Sequence, residues 1–221
     1  MIGFLAAFES AAATMEPAAR VVSVTGAVVA FRADGTEERL RVGLPLRQAN
    51  TVRAGDGAGF AVELADHTLI AMAGNGEFSL DEFGFDANAQ TGWISISVPE
   101  GVVVVVSGLA AKADPDAMTI VTPHAVIGVR GTQLGLAVEG DGRTTVVLME
   151  EADGFVGELV VKDRIGVVVF NLAHQAMTVP SPTPLSQVFD ADPRQIGARF
   201  GPALRHLPKD QPHANRYGAA P

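Results

Sequence analysis

Cysteine is absent from the 221 residues. That single absence removes disulfide frameworks, thiolate metal ligands and cysteine nucleophiles. Aromatic residues make up only 6%, with one Trp and one Tyr, so a core built here rests on aliphatic packing. Positive charge is scarce as well: 16 Lys and Arg stand against 25 Asp and Glu, a formal net charge of −9. A surface of that sign repels phosphate backbones and anionic headgroups, and no nucleic-acid partner is expected. Long apolar runs are missing too. None reaches the roughly 18 to 20 residues that a membrane helix needs, so no membrane span is expected. The first twenty residues are Ala-rich with Phe4, Leu5 and Phe8. They carry no basic region ahead of the apolar ones and make a poor secretory signal.

What the chain does have is Val, Ala and 24 Gly, with a mean hydropathy of +0.24. Val favours pleated, half-buried surface, and Gly marks turns and bulges. From Val21 to Val179 the pattern is strand and turn almost throughout. Phe60, Val62 and Leu64 alternate with Ala61 and Glu63 at a period of two. Asp34-Gly35 and Asp141-Gly142 are hairpin signals. Short strands are expected at 68–72, 76–80, 93–98, 102–107, 155–161 and 165–170, among others. They recur roughly every 8 to 12 residues, the spacing of sandwiches, barrels and solenoids. No helix-length segment separates them, which excludes a parallel α/β fold.

Four regions follow. Residues 1–19 read as a leader or short helix, and 20–180 as one β domain. Residues 181–207 read as a Pro-rich linker and an amphipathic helix, and 208–221 as a disordered tail. Asp192-Pro193 looks like a helix N-cap followed by Pro at the first helical position, and Ile196, Phe200, Leu204 and Leu207 follow at helical spacing. Gly201-Pro202 is expected to kink or split that helix, which could dock across an end of the domain as a cap.

The catalytic inventory is thin. Ser107-Gly108 lacks the Gly-x-Ser-x-Gly elbow, and the five histidines are scattered without a ligand spacing. Asp81, Glu82, Asp86 and Asn88 lack the spacing of a calcium loop and read as a solvated turn. Trp93 reads as core. No catalytic residue, cofactor or metal ligand is expected, and the chain reads as a non-enzyme.

The order of signals in residues 21–180 resembles the FecR domain family. Gly43-Leu44-Pro45-Leu46 with Arg53-Ala54-Gly55-Asp56 is similar to one family element, and Phe60 to Leu69 to a strand pair with Asp66 at its Asp. The most specific match runs from Thr122 and Pro123 through Ala125 to Arg130, Gly131 and Thr132. His67 stands where the family usually has Gly, which implies a different turn after Asp66. The resemblance implies an all-β domain outside the cytoplasm, periplasmic or extracellular: a twisted, β-solenoid-like or irregular β-sandwich body with a short C-terminal helix. It also implies that the partner is a protein, either another chain or a second copy of this one. Nothing here resembles the anti-sigma segment or membrane helix of the siderophore-signalling members, so that role is not carried over. Three functions compete: an interaction or assembly module of the envelope, a sensory module serving a separate membrane regulator or transporter, and a filament subunit. Asp66, Thr122, Pro123, Arg130, Gly131 and Thr132 are structural motif residues in this reading. Arg130 is expected to pair with a buried Asp66, Glu63 or Asp56, so that Arg130→Ala would cost several kcal/mol.

Overall fold

A computed structural model describes residues 17–180 and 188–209. The leader, the Pro-rich stretch and the tail therefore lie mostly outside the described residues. The chain runs β1 (Ala19–Thr25), β2 (Val28–Phe31), β3 (Glu37–Arg39), β4 (Pro45–Leu46), β5 (Asn50–Ala54) and β6 (Gly59–Leu64). Two long strands follow, β7 (Leu69–Asp86) and β8 (Thr91–Val106), and then a short helix, α1 (Leu109–Ala113). After it come β9 (Met118–Val121), β10 (Val126–Arg130), β11 (Gln133–Val138), β12 (Thr144–Met149), β13 (Glu158–Lys162), β14 (Val167–Phe170), β15 (Gln175–Val179) and β16 (Phe189–Asp190), and finally α2 (Pro193–Leu204).

The expected strands at 68–72 and 76–80 are one strand, and so are those at 93–98 and 102–107. Asn75-Gly76 and Pro99-Glu100-Gly101 mimic turns, but here they bend two paired strands together. Gly74 and Gly101 take φ of +74° and +117°, a region L side chains avoid. A Cβ on Gly76 would come within 3.0 Å of Gly101 Cα. The ladder register slips between Ala73 and Glu77, as bulges do where a strand changes direction.

That bend makes one continuous ladder into two layers. The first layer orders β4-β1-β6-β7-β8-β11-β12-β15-β16, using Leu69–Ala73 of β7 and Val102–Val106 of β8. The second orders β3-β2-β5-β7-β8-β9-β10-β13-β14, using the other halves of the same two strands. Every pairing is antiparallel except β8 with β9. The expected all-β body with its C-terminal helix is present, and the sheet does not close on itself. Alternation along each strand turns one set of side chains inward. Val62, Ile70, Val103, Leu134 and Val146 from the first layer meet Val52, Leu80, Ile96, Ile120 and Ile127 from the second in one dry core. Phe60 and Phe78 touch across it, ring centroids 6.4 Å apart.

α2 packs on the outer face of the first layer, not across an end. Ile196, Phe200, Ala203 and Leu204 cover Leu69, Ala71, Val104 and Ala137. Asp192 Oδ1 accepts from Arg194 N at 2.7 Å, and Pro193 takes the first helical turn. The helix runs through Pro202 unbroken. Phe200 before it and Ala203 and Leu204 after it are all buried, and that apolar seat holds the last turn. Trp93 is a second correction: it is 60% exposed. It lies opposite Gly84 at the far end of the β7–β8 hairpin, and its indole occupies the space a side chain at Gly84 would fill.

Candidate functional site

Asp66, the pair Ser107-Gly108 and Thr132 are far apart in the chain and meet at one end of the two layers. Asp66 is fully buried in the turn between β6 and β7. Its Oδ1 accepts from Thr68 N at 3.0 Å, and its Oδ2 from Thr68 Oγ1 at 2.9 Å and Ala110 N at 3.3 Å. Its carbonyl accepts from Leu109 N at 2.8 Å. Gly108 N donates to Thr68 Oγ1 at 2.9 Å, and a Cβ on Gly108 would stand 2.2 Å from Asp66 O. Beside it, Ser107 Oγ accepts from Thr132 N at 2.7 Å, and Thr132 Oγ1 accepts from Gly157 N at 3.2 Å. These buried groups satisfy one another. They lock the β6–β7 turn, the start of α1 and the β10–β11 corner together. α1 itself gives no signal in the sequence: its five residues, Leu-Ala-Ala-Lys-Ala, are too few to show a helical period.

His67 adopts φ of +67°. It therefore keeps the left-handed geometry that a Gly would take, and Glu63 Oε1 holds its Nδ1 at 2.8 Å.

Thr122 and Pro123 form the β9–β10 turn. Thr122 N donates to Ala125 O at 2.9 Å, and Thr122 Oγ1 accepts from Ala125 N at 3.2 Å. Pro123 is exposed and abuts the Gly142 hairpin.

Arg130 departs from expectation. It points outward from β10, directly opposite Glu158 of β13, and bonds that carboxylate. Asp116 lies at 3.5 Å. The Arg130 side chain keeps 37% of its surface exposed, so no buried charge depends on it. Asp66 is engaged instead by backbone and Thr68. Gly131, at φ of +58°, makes the corner that carries the chain from β10 to Thr132. The Arg130-Gly131 corner borders a shallow cleft of about 470 Å³, with Lys112, Glu151 and Phe155 around it. Lys112 Nζ lies 3.4 Å from Glu151 Oε2. No Ser, Thr or His lines this cleft; its charged side chains are Lys112, Arg130, Glu151 and Asp153.

The acidic loop is spent on its own turn: Asp86 Oδ1 accepts from Asn88 N at 2.8 Å and Ala89 N at 3.1 Å. Among the described residues no cluster of three or more His, Asp or Glu is placed to hold a metal ion.

The less expected feature is an edge. Four strands end the two layers, and three are blunted. β4 has two residues and begins with Pro45, β16 has two and ends with Asp190, and β3 is Glu37-Glu38-Arg39. The fourth, β14, is Val-Val-Val-Phe. Val167 and Val169 point outward and are 58% and 47% exposed. Phe170 is buried in the core, and Val168 packs against it. The alternation of apolar with apolar is the signal that the sequence carried: a strand with one buried face needs only half of those valines.

Two features thus stand out: an open, two-layered β domain, and a buried polar lock that takes Asp66 and Thr132 from the motif set. Residues 50–152 match the family model described as FecR protein. A crystal structure of a candidate anti-sigma factor from Parabacteroides distasonis shares the fold at a TM-score of 0.51 and 14% identity, covering 68% of this chain and 64% of that one. A second crystal structure carrying the same description, from the same organism, aligns at a TM-score of 0.49 and 13% identity, over 67% and 63%. The chain spans less than two thirds of the length of either structure. No curated protein matches it.

Proposed function

We propose that this protein is a non-enzymatic interaction module of the bacterial envelope, periplasmic or extracellular, that recognises a protein through the open edge of its second layer. β14 carries this reading: a sheet edge with bare backbone groups and no charge is a template for another strand. The polar lock at Asp66 and Thr132 supports it, because it keeps the sandwich end rigid while the edge stays free. The FecR match supports an envelope signalling setting, in which a separate chain supplies the membrane regulator or transporter. Residues 20–180 form the recognising body, and the segment from 181 leads to the helix that shields the first layer.

A photo-crosslinking residue at position 169, expressed in the producing bacterium, tests this. Adducts to protein in the envelope fraction, absent when the probe sits at position 38 on β3, are expected. A probe at 169 that captures no protein, or a chain found only with cytosolic markers, would refute the reading.

A further inference from the structure

The β14 edge has an occupant that its own chemistry specifies. The stretch from Ile165 to Leu172 contains no Asp, Glu, Lys or Arg, although the chain carries a net charge of −9. Two copies of so acidic a protein repel one another over most orientations. Opposition of like charge is least along β14, where the nearest charged side chain on the outward face is Lys162 of β13, opposite Val167 and of the sign opposite to the chain's net charge.

The ladder fixes which atoms face out. Asp163 N donates to Gly166 O at 3.0 Å, and β13 pairs Lys162 with Val167, Val161 with Val168 and Val160 with Val169. Bonded and non-bonded pairs alternate along an antiparallel ladder. Val168 therefore bonds back to β13, while the N–H and C=O of Val167 and Val169 point away from the sheet. A second β14 laid antiparallel about a two-fold axis through Val168 sets Val167 against Val169 of the other copy, and Val169 against Val167. Each such pair exchanges two backbone hydrogen bonds. The outward Val side chains then form cross-strand apolar pairs. Val168, half-buried at the rim of the core, meets its own counterpart and closes the open end of that core.

We infer that two copies of this chain join edge to edge through antiparallel pairing of β14 with β14. This rests on the reading of β14 as the recognition edge and names its partner. Because β3, β4 and β16 are blunted, each copy offers one such edge. The assembly closes at two and does not grow into a filament.

A strand edge of this length buries less than the roughly 1,600 Å² of a standard interface, so association is expected in the high micromolar range. Sedimentation equilibrium of the full chain should show the mass rising with concentration from one chain to two and stopping there. Val167→Lys and Val169→Lys place a charge on exposed, outward positions. They should keep the wild-type circular dichroism and melting temperature while weakening association by about tenfold or more. Glu37→Lys on the opposite edge should leave it unchanged. A wild-type mass fixed at one chain, growth past two, or undiminished association of both Lys variants would each overturn the inference. A chain that stays single, but whose position-169 probe still captures another protein in the envelope, would sink the second copy and leave the interaction module standing. A single chain with no adduct at all would sink both.

Discussion

The two layers share one core yet meet their surroundings differently. The outer face of the first layer is apolar, with Ala61, Leu69, Ala71, Val104 and Ala137, because α2 lies on it. The middle of the second layer's outer face carries Thr51, Ser79, Ser95, Ser97 and Thr119, which water can satisfy. Toward its last strands Val126, Val160, Val167 and Val169 form an apolar patch, flanked by Lys162 and the Arg130–Glu158 pair. An apolar outer face is accounted for in one layer by a helix of the same chain; in the other, by nothing among the described residues. β13 and β14 also lie beyond the residues 50–152 matched by the family, so the bare edge is set outside the shared framework.

The sharpest way to break this comparison is to remove the cover. Phe200 is the largest side chain that α2 buries, and its ring sits over Gly135, where a Cβ would come within 2.8 Å of it. Phe200→Ala should destabilise the fold by about 3–5 kcal/mol in denaturant titration. Val169→Ala, on the bare edge, should change it by no more than about 0.5 kcal/mol. Equal losses would mean that the edge is already covered in the folded monomer.

The lock and the exposed motif residue separate next. Asp66→Ala strips acceptors from Thr68 N, Thr68 Oγ1 and Ala110 N inside the protein, a loss of about 1–3 kcal/mol for buried polar groups left unpaired. Arg130→Ala breaks a surface pair with Glu158 and should cost no more than about 1 kcal/mol. A larger loss for Arg130 would restore the buried-charge reading that its neighbours contradict.

Local chemistry was legible wherever it acts within a few residues. The Asp34-Gly35 and Asp141-Gly142 hairpins, the Asp192-Pro193 helix start and the period of two through Phe60 and Leu64 all stand in the structure as read. What escaped depends on distance along the chain. Gly74 and Gly101 look like turn residues singly, and only their pairing across β7 and β8 makes them a shared bend. The partner of Arg130 is set by a register 28 residues away. Trp93 is exposed because the β7–β8 hairpin reaches beyond the core, and residue type alone carries no trace of that. The motif from Thr122 to Thr132 was visible as a motif, but its role emerged only when Ser107 and Asp66 came to lie beside Thr132.

The smallest expected effect tests the cover from its free end. His206 follows α2, half-buried, with Nδ1 3.3 Å from Ser23 Oγ and its ring against Gly59. Burial, and then the neighbouring Arg205, push its pKa below the ordinary 6.5. As pH falls below 6.5 the unfolded chain takes up this proton before the folded one does, so the contribution of neutral His206 is complete above that value and is lost as pH falls through the lower folded pKa. Thermal melts taken from about pH 8 down to about pH 5 should show a decline across that window that His206→Asn removes. An identical slope in the variant would place the acid sensitivity elsewhere. Self-association through β14 should not follow the same curve, since no side chain from Ile165 to Leu172 titrates. Acid should therefore loosen the covered layer and leave the bare edge as it is.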